Sequence, residues 1–141
     1  MSGSQGQTTI MRFSEDITNA QPPPPLPART YRAEVIGASI RPAQSSGIPY
    51  LNLQFRVPSD AYPADYTDGD PDGTIIYYNR IQAVDTGTGR YRWRQAMEKL
   101  GGPLGMQIDC NQLIGLWANI EVTHQEYEGE MRAQIARLLA P

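Results

Sequence analysis

Hydrophobic and polar positions alternate with a period of two through Thr30–Val57, and the alternation predicts two strands joined by a turn. The first runs through Tyr31-Arg-Ala-Glu-Val-Ile36 to Gly37, read as a break, and Pro42–Gly47 is a turn cluster. In the second, Leu51, Leu53, Phe55 and Val57 fall on one face, while Tyr50, Asn52, Gln54 and Arg56 fall on the other. One face is core and the other is wet.

The pattern continues with a third strand at Gly73–Gln82. Ile75, Tyr77 and Ile81 make its more apolar face, with Tyr78, Arg80 and Gln82 outward. The opposite registration, which buries Ile76 and Tyr78, is also open. Asp85–Gly89 reads as a turn. Arg90–Leu100 is the one convincing helix, because Trp93, Met97 and Leu100 recur at helical spacing and Gly101 and Pro103 stop it. Met106–Gly115 reads as a loop or short turn. A fourth strand, Leu116–Gln125, has Ala118, Ile120 and Val122 inward. Glu126–Glu130 is a hairpin tip, and Met131–Leu139 is the fifth strand. Trp93 and Trp117 are expected in the core. A helix between the third and fourth of five strands is the plan of the OB barrel, whose strand 2–3 face is the usual nucleic-acid platform. The expected fold is therefore all-β with one helix: a five-stranded OB-like barrel with an extended N-terminal arm. An open β-sandwich or roll is the competing topology.

Residues 1–21 are small and polar apart from the alternating piece Thr9–Phe13, so they read as an arm able to make one edge-strand contact. Pro22–Pro25, Leu26 and Pro27 form a polyproline lead-in. Pro24-x-x-Pro27-x-Arg29 matches a groove-binding proline ligand, but a stiff lead-in explains the same residues. The division is thus a flexible arm and proline-rich lead-in over residues 1–29 and a folded body over residues 30–141.

Composition narrows the class. The 141 residues suffice for one domain with a real core, and 13 Gly with 12 Pro suit short strands and turns. No apolar run approaches the ~18 residues of a membrane span, and the start of the chain lacks the layout of a signal peptide. The single Cys110 excludes an intrachain disulfide and suits a cytoplasmic setting. Net charge is −3, which alone argues against a polyanion partner. The distribution argues otherwise. Residues 58–73 carry five aspartates and no base, whereas residues 74–100 carry five bases against two acids. Eleven of the 12 basic residues are arginine, the residue that forks onto phosphate and stacks on flat rings. A GC-rich genome would produce the same bias.

Candidate chemistry is sparse on the catalytic side. Asp68-Gly-Asp70-Pro-Asp72-Gly-Thr-Ile75 mimics the start of a calcium loop, but Asn79 stands at the twelfth position and turn chemistry accounts for the aspartates. His124 lacks a neighbouring nucleophile and reads as a strand-end residue making a hydrogen bond. Ser45-Ser46-Gly47 does not match a phosphate-cradling loop. No cofactor, metal or enzymatic activity is expected. The best constellation is aromatic and cationic: Tyr50, Asn52 and Arg56 on the second strand, Tyr77, Tyr78 and Arg80 on the third, and Arg90 and Arg94 on the helix. Tyrosines are also good strand formers, but this mixture can stack on bases and neutralise phosphate.

The chain resembles a family of phage-encoded OB-fold single-stranded DNA-binding proteins of replication and recombination modules. The resemblance runs from about Met11 to Leu139. It is carried by Pro25-Leu-Pro-Ala-Arg-Thr-Tyr31, Ser46-Gly-Ile-Pro-Tyr-Leu-Asn-Leu-Gln-Phe55, Met97-Glu-Lys-Leu-Gly101, Leu113-Ile-Gly-Leu-Trp117 and Tyr127-Glu-Gly129. Two departures are Arg29-Thr30 where the family has glycine, and the long acidic loop at residues 58–73. The resemblance implies non-sequence-specific binding of single-stranded DNA in the host cytoplasm, with phage replication or recombination proteins as further partners. The arm is the expected route to any homo-oligomer. The alternative is a structural or adaptor protein of a phage particle or complex, using the same body for protein contacts.

Overall fold

A computed structural model of the chain describes residues 9–21 and 24–141. The start of the expected arm and the first two prolines of the lead-in lie outside the described residues. One antiparallel sheet is built from β1 (Thr30–Pro42), β2 (Pro49–Val57), β3 (Thr74–Gln82), β4 (Trp117–Tyr127) and β5 (Glu130–Leu139). Its order is β3-β2-β1-β4-β5, so β1 is central and β3 and β5 are the edges. The helix α1 (Gly87–Leu100) follows β3 in the chain. The mainly β class with one helix is as expected. No helix among the described residues is long and apolar enough to cross a membrane.

The alternation in β2 has the expected outcome on its apolar side: Leu51, Leu53, Phe55 and Val57 are fully buried. Burying each contributes about 1.5–3 kcal/mol. Tyr31, Ala33 and Val35 of β1, Ala118, Ile120 and Val122 of β4, and Met97 and Leu100 of α1 join the same core. The helix begins at Gly87, earlier than expected, because Thr86 caps it by accepting from Gly89 N at 2.9 Å. It ends at Gly101 in the left-handed conformation (φ 70°). The expected loop after it contains a 3-10 turn, Cys110–Leu113, whose Leu113 is buried.

The ladders are interrupted at three places, and these interruptions correct the sequence reading. Gly37 is not a break. β1 runs on to Pro42, with Ile36 as the extra residue of a bulge between Val35 and Gly37. In β3, Asn79 and Arg80 together face the single residue Asn52. The bulge reverses the parity of the strand, so Ile76, Tyr78 and Ile81 point inward while Ile75 and Tyr77 stay outward. The expected burial of Ile75 and Tyr77 was therefore wrong, and that of Ile81 right. In β5, Ala136 is the extra residue between Ile135 and Arg137.

Two boundaries also move. Leu26, placed in the lead-in, is 1% exposed and belongs to the core, so the packed body starts before Thr30. The piece Thr9–Phe13 forms no strand; Met11 and Phe13 are exposed. Trp93 packs against the core and donates from Nε1 to the Gln82 carbonyl at 2.9 Å, whereas Trp117 is surface-exposed, against expectation.

Candidate nucleic-acid interface

Directly opposed residues of an antiparallel ladder share a face, so the registers define the outward surface row by row. The first row crosses four strands: Trp117 lies opposite Glu34, Glu34 opposite Arg56, and Arg56 opposite Ile75. The second runs Gly37, Gln54, Tyr77, and the third Arg41, Tyr50, Gln82. A Cβ at Gly37 would come within 2.8 Å of Gln54 Oε1, because the Gln54 side chain lies across the glycine. Tyr77 is 55% exposed and Trp117 40% exposed. The wet face thus carries two large aromatic surfaces, with the half-buried Tyr50 beside Arg41.

The eight residues expected to bind do not form one site. Tyr50, Arg56 and Tyr77 share the outward face. Asn52 does not join them: it lies opposite the β3 bulge and is only 8% exposed. Tyr78, expected outward, is half-buried. With Arg80 it lines a hollow between β3, α1 and β5. Burial pushes the Tyr78 hydroxyl above the usual tyrosine range, against the opposing charge of Arg80. Arg90 and Arg94 lie elsewhere again, on a groove with Trp93 and Met97.

Ion pairing separates the cations further. Arg56 contacts Glu34 across the strands at 3.0 Å, Arg90 contacts Asp85 at 2.7 Å, and Arg94 contacts Glu98 one turn away at 3.5 Å. Of the four expected arginines only Arg80 has no acidic partner among the described residues.

Sequence reasoning missed Trp117, Arg41, Arg92, Lys99 and Arg137. The spacing Arg92-x-x-Gln95-x-x-x-Lys99 puts three polar side chains on one helix face, a signal that was there to read. Trp117 was expected in the core, yet Ala118 and not Trp117 has the inward parity. Arg137, which the β5 bulge sets opposite Glu121, also lines the hollow.

In the acidic loop Asp70 is engaged by internal hydrogen bonds. Asp70 Oδ1 accepts from Asp72 N at 2.9 Å, and the Asp70 carbonyl accepts from the Tyr62 hydroxyl at 2.8 Å. Tyr62 and Tyr66 meet edge to face at 5.1 Å and cover Gly69 so closely that a Cβ there would clash at 2.5 Å. No three potential metal ligands gather among the described residues. Burial and the neighbouring Asp109 charge push the Cys110 thiol up, which keeps it protonated. Compared with known proteins, the chain matches no family model and no curated protein.

Proposed function

We propose that this protein holds single-stranded DNA on the outward face of its sheet, without sequence preference and without catalysis. The strand order supports an OB-like reading: β1 is central, β3 and β5 are the edges, and α1 follows β3. Closing β3 onto β5 would make a five-stranded barrel, whose strands 2 and 3 are the usual platform. The observation that carries the function is the exposure of Tyr77 and Trp117 on the wet side of the sheet, where packing does not use them. Stacking on such rings is worth ~1–3 kcal/mol per base and tolerates any base. Arg41 beside Tyr50, and Arg32 on the same side of β1, make no ion pair among the described residues and are free to meet phosphate. With the family resemblance, this reading assigns the protein to phage replication or recombination, with proteins of those modules as partners.

Fluorescence anisotropy of labelled oligo-dT at two salt concentrations tests the reading. Affinity is expected to fall as salt rises, because phosphate contacts release counterions. Equal affinity for duplex, or no binding at low salt, overturns it. One observation favours a second reading, an adaptor protein. Ile40, Leu104 and Met106 expose apolar surface along the groove beside α1, which measures about 860 Å³. Failure of oligo-dT to bind would leave this groove as the stronger feature.

A further inference from the structure

The hollow between β3, α1 and β5 has an unusual electrostatic make-up for a chain with net charge −3. Its volume is about 230 Å³, and Tyr78, Arg80, Arg92, Gln95, Lys99 and Arg137 line it with no acidic side chain among the lining residues. Ile81, Ala96 and Leu138 form a buried floor, which holds the polar groups on a fixed base. The acids nearest in the chain are committed elsewhere. Glu98 turns to Arg94, and Asp85 to Arg90. Glu121, not itself a lining residue, neutralises one lining cation, Arg137, through two contacts at 3.1 and 3.2 Å. Arg80, Arg92 and Lys99 remain without an acidic partner among the described residues. Three cations gathered around one concavity repel one another unless an anion neutralises them.

The donors suit one class of anion. Arg80 and Arg92 offer planar forks, Lys99 a point charge, and Tyr78 and Gln95 neutral donors. Phosphate oxygens accept from all of these, and charge-assisted bonds to phosphate are the strong ones. Arg92 and Lys99 stand seven residues apart on α1, about 10 Å along the axis, so the face can engage more than one phosphate oxygen.

We infer that this hollow is a phosphate-binding site, and that it takes a backbone phosphate of a single strand leaving the outward face over the edge of β3. The bulge residue Arg80 lies at that edge, on the strand that also carries the platform residue Tyr77, and it lines the hollow. The choice of a backbone phosphate rests on the single-strand reading above; the anion site itself does not.

The test uses the full chain, the pair variant Arg92→Gln/Lys99→Gln, and a charge-matched control, Arg12→Gln/Arg29→Gln, whose side chains are exposed. All should melt together, because every altered side chain is at the surface or half-buried. Nitrogen-15 spectra of arginine Nε–H groups are recorded with inorganic pyrophosphate, and oligo-dT affinity is measured against salt. The Arg80 and Arg92 signals of the parent should shift saturably, and the pair variant should lose the Arg80 shift. The pair variant should also bind oligo-dT several-fold more weakly than the control. Its log–log salt slope should be shallower by about 0.7, one single-strand phosphate contact. Pyrophosphate shifts without any oligo-dT binding would keep the hollow as a site for a free phosphate and sink the single-strand reading. Oligo-dT binding that depends on Tyr77 but is the same in pair variant and control overturns the hollow as a site for backbone phosphate and leaves the platform standing. Absence of pyrophosphate shifts in the parent also overturns it.

Discussion

His124 Nε2 lies 2.8 Å from the carbonyl oxygen of Leu26, a contact across 98 residues of chain. A carbonyl can only accept, so Nε2 carries the proton. The neighbouring carbonyls are met in the same way: the Tyr31 hydroxyl donates to Pro27 at 2.7 Å and the Tyr66 hydroxyl to Pro24 at 3.3 Å. A polyproline segment makes no hydrogen bonds of its own, so these three side chains from the body hold it in place while Leu26 fills the core. The lead-in is part of the fold.

Removing residues 1–21 should leave the melting temperature nearly unchanged, since none of the described residues among them is buried. Leu26→Ala should cost about 2–5 kcal/mol as a core cavity. His124→Ala should cost about 0.5–1.5 kcal/mol through the lost hydrogen bond. Urea unfolding of the three variants checks the order. A large loss from the truncation alone would show that the arm packs on the body.

Tyr77→Ala should weaken oligo-dT binding by about 1–3 kcal/mol, one stacked base, with little change in stability. Trp117→Ala should act in the same direction. Phe55→Ala, at a fully buried position, should instead cost about 3–5 kcal/mol of stability. Melting temperature and anisotropy measured on the same samples separate the two effects. Loss of stability without loss of binding in Tyr77→Ala would reject the outward platform.

The limits of the sequence reading fall at the bulges. β2 and the start of β4 keep a strict period of two on their core side, and their buried residues were legible. No single period puts Ile76, Tyr78 and Ile81 on one face, so either registration of β3 had to fail somewhere. Asn52, an expected contact, lies opposite the same bulge and is buried. Charges were legible as residues but not as pairs: Glu34 meets Arg56 only because β1 and β2 are in a register that the turn length does not reveal. The burial of Leu26 was hidden for a different reason. One leucine among prolines shows no periodicity.

Alkaline conditions should destabilise the protein. Burial raises the hydroxyl pKa of Tyr31, Tyr66 and Tyr78. A group whose folded pKa lies above its unfolded value stabilises the fold below that unfolded value, about 10. This contribution disappears as pH rises through the folded pKa. The melting temperature should therefore hold up to about pH 9.5 and fall above about pH 10. Tyr78→Phe should flatten part of that fall. Ultraviolet titration should show three of the eight tyrosines ionising late; eight that ionise together would reject the assignment.

The β4–β5 hairpin allows a stability gain to be set against function. Glu128 has φ 50° and Gly129 φ 82°, the pair of positive values that a two-residue type I′ turn demands. Glycine adopts this conformation freely, but glutamate does so at a cost of roughly 1–2 kcal/mol. Asparagine tolerates it better, so Glu128→Asn should raise stability by several tenths of a kcal/mol up to about 1 kcal/mol. Gly129→Ala should do the opposite. Glu126, Glu128 and Glu130 make this tip acidic, and the platform reading keeps it off the DNA path. Oligo-dT affinity of Glu128→Asn should then equal that of the parent at physiological salt, where charges more than about 8 Å apart are screened. A clear gain in affinity would mean that the tip lies beside the bound strand and repels it, which would move the path from β2 and β3 towards β4 and β5.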